Sequence, residues 1–540
     1  VLNLNYKKTM KKINSIYLLL IVALLLNGCF SLDQEPYDET KATNTFNTPK
    51  EVRFWLNNIY SAIRNNHQGE TMYLTDLQAD YLNLTINNRR DVIRDFQRYG
   101  ELNSSNGNIL NIWDTQYNII ANINAAIEGT ENKENQEEIK PLRGELFLSR
   151  AYCYSYLVTH FCKPYNATNA ANDLGLPLVI EKMDSREAPL RSSLADTYQF
   201  ILSDIEKAIY LLSNQTGRVG ATTFTIDAAK ALKARVLLYK TDWAQALQVA
   251  EELINSGKYP LVNTQTDLEA VWKNDATNET ITQLTSGVIG SNIERPANHN
   301  DLYLFEDKNM TFPFPAVPPF PVCGGNRPYL ADPNVVPTGT LVNLFDNSDW
   351  RKSVYIKQID LSVDMPDFFT YDCPDENLAY VVNKYPRNEQ LSIENDFFLY
   401  YGHKPTLFRI AETYLIAAEA AYKAANETKA KTYLNTLRHA RGLTSANDIT
   451  SSGTALFTDI QNERNRELCF EGFRLFDLNR WGLGVQRGTP QTLSFNLVLD
   501  TPANELTQLN LPAGHYKMVW PIPQKLINHE KGRWQQNPGW

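Results

Sequence analysis

A chain of 540 residues with 43% hydrophobic content can bury a substantial core, which excludes a disordered or fibrous protein. The formal charge of −9 deepens to −13 once a leader carrying Lys7, Lys8, Lys11 and Lys12 and no acid is removed. A phosphate backbone calls for a basic stripe, so no nucleic-acid partner is expected.

Those four lysines precede an unbroken apolar run from Ile16 to Leu26 and then Asn27-Gly28-Cys29. A positive start, a hydrophobic stretch and a small residue before cysteine form a lipoprotein signal, so residues 1–28 are expected to be removed and Cys29 lipidated. Eleven apolar residues cover roughly 16 Å as a helix, about half of a bilayer core, too short for a spanning anchor. Residues 29–49 are polar and acidic and read as the lipidated cysteine and an extended tether of at most ~65 Å; residues 50–540 read as a single domain.

Trp55, Ile59, Tyr60 and Ile63 recur at helical spacing. A polar stretch from Asn65 to Asn108 separates them from a helix near Asn111–Glu128, and a third helix runs from Pro141 to Phe161. Two helix-turn-helix hairpins of about 34 residues follow, at 226–257 and 407–442, closed by Gly257 and Gly442. In the second, Leu407, Ile410, Ala411, Tyr414, Ala418 and Ala421 form one apolar stripe. Small residues at the crossing and this length suggest tetratricopeptide-like pairs, although any antiparallel bundle would give a similar pattern. Between the hairpins, 261–404 is rich in Pro, Gly and aromatics with little periodicity, and such a loop-rich insert is the main candidate for ligand contact.

Cys153 and Cys162 are nine residues apart on one predicted helix, hence ~13 Å and beyond bridging distance, while a Cys323–Cys373 bond stays open. The histidines include no HExxH and no i, i+4 pair, and GxSxG, GxGxxG and the phosphate-loop pattern are absent, so no enzyme and no cofactor is expected. Asp346-Asn347-Ser348-Asp349 could hold a structural calcium but also reads as a solvated turn. The best acid pair, Glu467 and Glu471, lies one turn apart on a predicted helix with Arg464, Arg466 and Arg474 close by, which favours an ion-paired structural network over a pair of catalytic carboxyls.

That helix reads Glu463-Arg464-Asn465-Arg466-Glu467-Leu468-Cys469-Phe470-Glu471-Gly472-Phe473-Arg474-Leu475-Phe476-Asp477-Leu478-Asn479-Arg480-Trp481-Gly482. It resembles the signature of the SusD/RagB family of surface nutrient-binding lipoproteins. Arg409 to Ala420, Leu434-Asn435 with Arg438, Arg441 and Gly442, Gly144-Glu145 to Tyr152, Trp520-Pro521-Ile522-Pro523 and Gln536-Asn537-Pro538-Gly539-Trp540 resemble further family motifs in the family's order. Cys162-Lys163-Pro164 departs from it, in a surface loop.

The resemblance implies a mainly α fold, with tetratricopeptide-like hairpins packed against an irregular ligand-binding half. It also implies a non-catalytic lipoprotein on the outer face of a Bacteroidetes outer membrane. Such a protein would bind a glycan and deliver it to a SusC-like TonB-dependent transporter. The alternative is an oligopeptide-binding import lipoprotein of the RagB kind. The motifs are structural, so they carry no ligand residue over. Aromatics beside amides, carboxylates and guanidiniums suit a glycan, and they mark two candidate segments: Tyr73, Asp80, Tyr81, Asn87 and Arg89, and Tyr303, Phe305, Asn326, Arg327 and Tyr329.

Overall fold

The computed structural model describes residues 46–540 apart from 68–69, 85–90, 101, 134–135, 182–187, 276–277, 290–291, 295–306, 309–328, 331–334, 361–377, 387, 392, 395–398, 401–402 and 492–508. Cys29, Asn87, Arg89, Tyr303, Phe305, Asn326, Arg327, Cys323 and Cys373 lie outside the described residues.

Helices dominate. The first half carries α1 (Pro49–His67), α2 (Glu70–Gln78), α3 (Asp91–Arg98), α4 (Gly107–Gly129), α5 (Lys140–Phe161) and α6 (Leu194–Leu211). After them come α7 (Ile226–Tyr239), α8 (Trp243–Asn255), α9 (Gln265–Lys273), α10 (Ile410–Lys423), α11 (Glu427–His439), α12 (Gly453–Leu468), α13 (Arg474–Arg480) and α14 (Gln524–His529). Their starts follow from local chemistry. Asn106, Ser193, Thr225, Asp242, Thr264 and Asn426 each accept a backbone N–H of the first turn, satisfying donors that a helix cannot pair internally.

Packing runs through small residues. Ala411, Leu415, Ala418 and Ala421 of α10 meet Ala430, Leu434 and Leu437 of α11 and Leu456 and Ile460 of α12 in one fully buried cluster. Each of those leucines contributes about 1.5–3 kcal/mol by leaving water, and the alanines let the helices approach closely. The pairs α7–α8 and α10–α11 lie beside one another through α8 and α10. Among the described residues no helix is long and apolar enough to cross a membrane.

Strands are short and occur as two-stranded antiparallel pairs. Leu82–Leu84 pairs with Val335–Pro337, Ile356–Asp360 with Leu378–Val382, and Thr406–Arg409 with Thr280–Gln283. The structure corrects the sequence reading in three places. The polar stretch 65–108 holds α2 and α3, whose Leu74, Leu77 and Phe96 are buried. The apolar stripe begins at Ile410, because 406–409 hydrogen-bonds to another strand. Finally, the segment 463–482 is two helices joined by a turn.

Candidate functional site

That turn organises the site. Phe470 (φ 65°) and Gly472 (φ 78°) sit in the left-handed region, which a side chain adopts only when its surroundings enforce it. Tyr385 donates its hydroxyl to the Phe470 carbonyl at 2.7 Å, the Phe470 amide donates to the Tyr81 hydroxyl at 3.2 Å, and the Gly472 amide donates to Asp76 at 3.2 Å. A Cβ on Gly472 would lie 3.0 Å from Met72 Cγ.

An ionic knot is buried around the turn. Glu467 receives Arg409 Nη1 at 2.5 Å, Arg441 Nη2 at 2.9 Å and Arg351 Nη1 at 3.0 Å. Burial opposes its ionisation, yet Arg441, Arg409 and Arg351 together hold its carboxyl well below the usual range. Glu471 takes Lys384 Nζ at 2.7 Å and Arg409 Nη2 at 2.6 Å. The acid pair is therefore consumed by cations. Those cations are not the ones the sequence suggested: Arg464 pairs with Asp477, Arg466 with Glu463 and Arg474 with Asp80, because Glu471 stands beyond the end of α12.

Two adjoining cavities share His67, Met72, Arg235, Glu471 and Phe473. The first, about 90 Å³ and partly open to solvent, has aromatic walls from Tyr152, Tyr156, Tyr198, Tyr239 and Phe476. His160 stacks on Tyr156 with ring centroids 3.9 Å apart, and burial pushes its pKa down to about 3. His67 and Tyr152 hydrogen-bond across this space. The second cavity, about 50 Å³ and also partly open, is polar: Arg235 grips Glu412 through two hydrogen bonds of 2.7 and 2.6 Å, and Trp272, Asp275 and His403 complete it. Paired charges and ring edges can hold a neutral, hydroxyl-rich molecule.

The candidate ligand residues that the structure describes stand elsewhere. Tyr73 and Tyr81 are each 1% exposed, so neither offers a ring face to solvent; Tyr81 meets Phe470 edge-on at 5.4 Å. Asp80 is held by Arg474 at 2.8 and 2.7 Å. Tyr329 belongs to a strand, Tyr329–Leu330, paired with Asp307–Lys308. In the turn read as a calcium candidate, Asp346 accepts from Ser348 and Asp349 is engaged by Arg351 at 2.7 Å. Among the described residues no three His, Cys, Asp or Glu side chains converge as metal ligands.

Sequence reasoning missed His67, Tyr152, Arg235, Trp272 and His403, which come from separate elements. One signal was present. Arg235 interrupts the apolar run of α7, and a charge on a packed face needs a partner.

A mainly helical body of paired hairpins with short two-stranded ribbons is the SusD fold, and solved structures share it. A SusD superfamily protein of Bacteroides thetaiotaomicron superposes with a TM-score of 0.70 at 22% identity, covering 91% of this chain and 100% of that one. A protein of Bacteroides vulgatus described as a SusD-like carbohydrate binding protein does so with a TM-score of 0.68 at 18% identity, covering 90% and 97%.

Residues 370–540 match the SusD family model, and residues 31–238 match a family described as starch-binding, associating with outer membrane. SusD-like protein P38 of Formosa agariphila is 24% identical over 95% of this chain and 96% of its own length; SusD-like protein P2 of the same organism is 23% identical over 90% and 93%. The chain belongs to the SusD-like family, a family of binding proteins.

Proposed function

We propose that this chain is a non-catalytic lipoprotein, anchored through Cys29 to the outer membrane and facing outwards, that binds a glycan and passes it to a SusC-like TonB-dependent transporter. The observation that carries this reading is the match of residues 31–238 to a family described as starch-binding and associating with outer membrane. Three features support it. The leader ends at a cysteine suited to lipidation, the cleft combines aromatic walls with paired charges, and the most prominent carboxyl pair, Glu467 and Glu471, is saturated by Arg and Lys.

Calorimetry on the lipid-free chain tests the ligand. Maltoheptaose, cellohexaose, xylohexaose and laminarihexaose are titrated beside a mixture of short peptides. Heat with a sugar and none with peptides is the expected result; the reverse replaces the glycan with an oligopeptide. The transporter is tested by purifying the full-length chain from detergent-solubilised outer membranes. A TonB-dependent barrel, identified by its peptide masses, should co-elute in stoichiometric amount, and its absence under mild detergent would remove the delivery step.

A further inference from the structure

The two cavities beside the turn hold about 90 and 50 Å³, whereas pockets that take a ligand usually span about 300–1,000 Å³. A glycan of several residues needs more contact than they offer. A pocket of the larger size lies at the turn between α10 and α11: it holds about 510 Å³, is wide open to solvent, and is lined by Tyr422, Lys423, Ala425, Asn426, Glu427 and Thr428.

Its polar groups are within reach of a ligand and not consumed by the fold. Lys423, Asn426 and Thr428 are exposed, and Tyr422 and Glu427 are partly so. Among the described residues Lys423 forms no hydrogen bond or ion pair, and the Tyr422 and Thr428 hydroxyls form no hydrogen bond. Asn426 Oδ1 accepts the Lys429 amide at 3.0 Å and Glu427 Oε1 accepts the Gly453 amide at 2.9 Å, which leaves Asn426 Nδ2 and Glu427 Oε2 open. One ammonium and one carboxylate balance, so the pocket makes no demand for an ion. Hydroxyls suit it, because each can accept from Lys423 or Asn426 or donate to Glu427.

The aromatic wall is a held platform. Tyr422 stacks on Phe457 with centroids 5.1 Å apart and 11° between the planes, and Lys423 Nζ lies 3.8 Å from the Phe457 centroid. Trp481 meets Phe457 edge-on at 6.1 Å while its N–H donates to Glu419 at 2.8 Å. Phe457 takes one face of Tyr422 and does not line the pocket, so the other face is the one available there.

We propose that the pocket at the α10–α11 turn is a second glycan subsite, in which a neutral sugar ring lies on Tyr422 and its hydroxyls bond Lys423, Asn426, Glu427 and Thr428. The proposal rests on the glycan reading above and gives it an address apart from the cleft and from the two candidate loop segments.

Two variants test it. Tyr422→Leu keeps an apolar side chain against Phe457 and removes the flat ring, while Lys423→Met keeps the aliphatic stem and removes the ammonium. The titrations with maltoheptaose, cellohexaose, xylohexaose and laminarihexaose are repeated on both, with thermal unfolding to establish that each is folded. The sugar that binds wild type should bind Tyr422→Leu about five- to tenfold more weakly, and Lys423→Met about threefold or more. If Tyr422→Leu does not fold, Lys423→Met at the exposed helix end decides alone.

Wild-type affinity in either folded variant would mean that the pocket is hydrated surface only; this overturns the subsite and leaves glycan binding intact. Binding of none of the four sugars to wild type would remove the glycan reading and the subsite with it.

Discussion

Arg409 Nη1 lies 2.5 Å from Glu467 Oε1, so the last residue of a strand is tied to the last turn of α12, and the same guanidinium reaches Glu471 at 2.6 Å. Arg351 and Arg441 close on Glu467 from other directions. Glu467→Gln would leave three buried guanidiniums facing a neutral amide. Removing one partner of a buried ion pair costs about 3–5 kcal/mol, so the variant should unfold at markedly lower urea concentration, as circular dichroism would register. An unchanged midpoint would mean that the knot is dispensable.

Tyr81 was chosen from the sequence as a stacking ring, and its burial changes the expected phenotype. Its ring packs on Phe470 and its hydroxyl accepts the Phe470 amide, at a residue held in the left-handed region. Tyr81→Ala should destabilise by about 3–5 kcal/mol through the cavity it leaves. Tyr81→Phe should cost about 1 kcal/mol for the lost hydrogen bond. Thermal unfolding of both variants checks the ranking; equal melting of Tyr81→Ala and wild type would return the ring to the list of ligand contacts.

The helical body was legible because α1, α4, α5 and the pairs α7–α8 and α10–α11 carry apolar residues at helical spacing, with polar caps on α4, α7, α8 and α11 and glycines after α8 and α11. The break inside 463–482 was not, since Phe470 reads as one more apolar residue of a helix and only tertiary partners such as Tyr385 and Asp76 hold it in its turn. The cleft was illegible for a related reason. Trp272, Arg235, His403 and Glu471 are far apart in the chain, and a lone Trp or His carries no periodic signal. Conversely, Tyr73 and Tyr81 stand in a polar-looking stretch but pack inward from α2 and from the turn that follows it.

Gly442 ends α11 with φ 91°, and a Cβ there would lie 2.5 Å from the Trp350 indole. Both the backbone conformation and the space exclude a side chain. Gly442→Ala is expected to cost about 2–4 kcal/mol, seen as a fall in melting temperature. Ala424→Gly, at the end of the preceding helix and exposed, serves as a control that should move it far less.

Lipidation is testable apart from any ligand. Cells fed an alkyne-tagged palmitate should label the wild-type chain and not Cys29→Ala, and the variant should leave the outer-membrane fraction, because the apolar run 16–26 is too short to anchor it. Equal labelling of both chains would move the acyl group to another residue.

His160 makes stability depend on pH up to about 6.5, above the range in which Glu467 and Glu471 lose their contribution. Burial holds its pKa down to about 3, while its Nδ1 donates to the Tyr156 carbonyl at 2.7 Å. Unfolded, the ring takes a proton near pH 6.5. Between about pH 3 and 6.5 the unfolded chain therefore binds one proton more than the folded chain, so stability rises with pH there and levels off above. The slope from this one group is at most about 1.4 kcal/mol per pH unit.

His67, brought down to about 4 by burial and the nearby Arg235, contributes with the same sign. Glu467 and Glu471, whose folded pKa values are lowered, lose their contribution only as the pH falls below their unfolded values near 4.5. Urea unfolding from pH 5 to 8 isolates the histidines. His160→Asn, which keeps a donor toward Tyr156, should flatten the wild-type slope by the share of one histidine; an identical slope in both proteins would mean that His160 titrates in the folded state as it does in water.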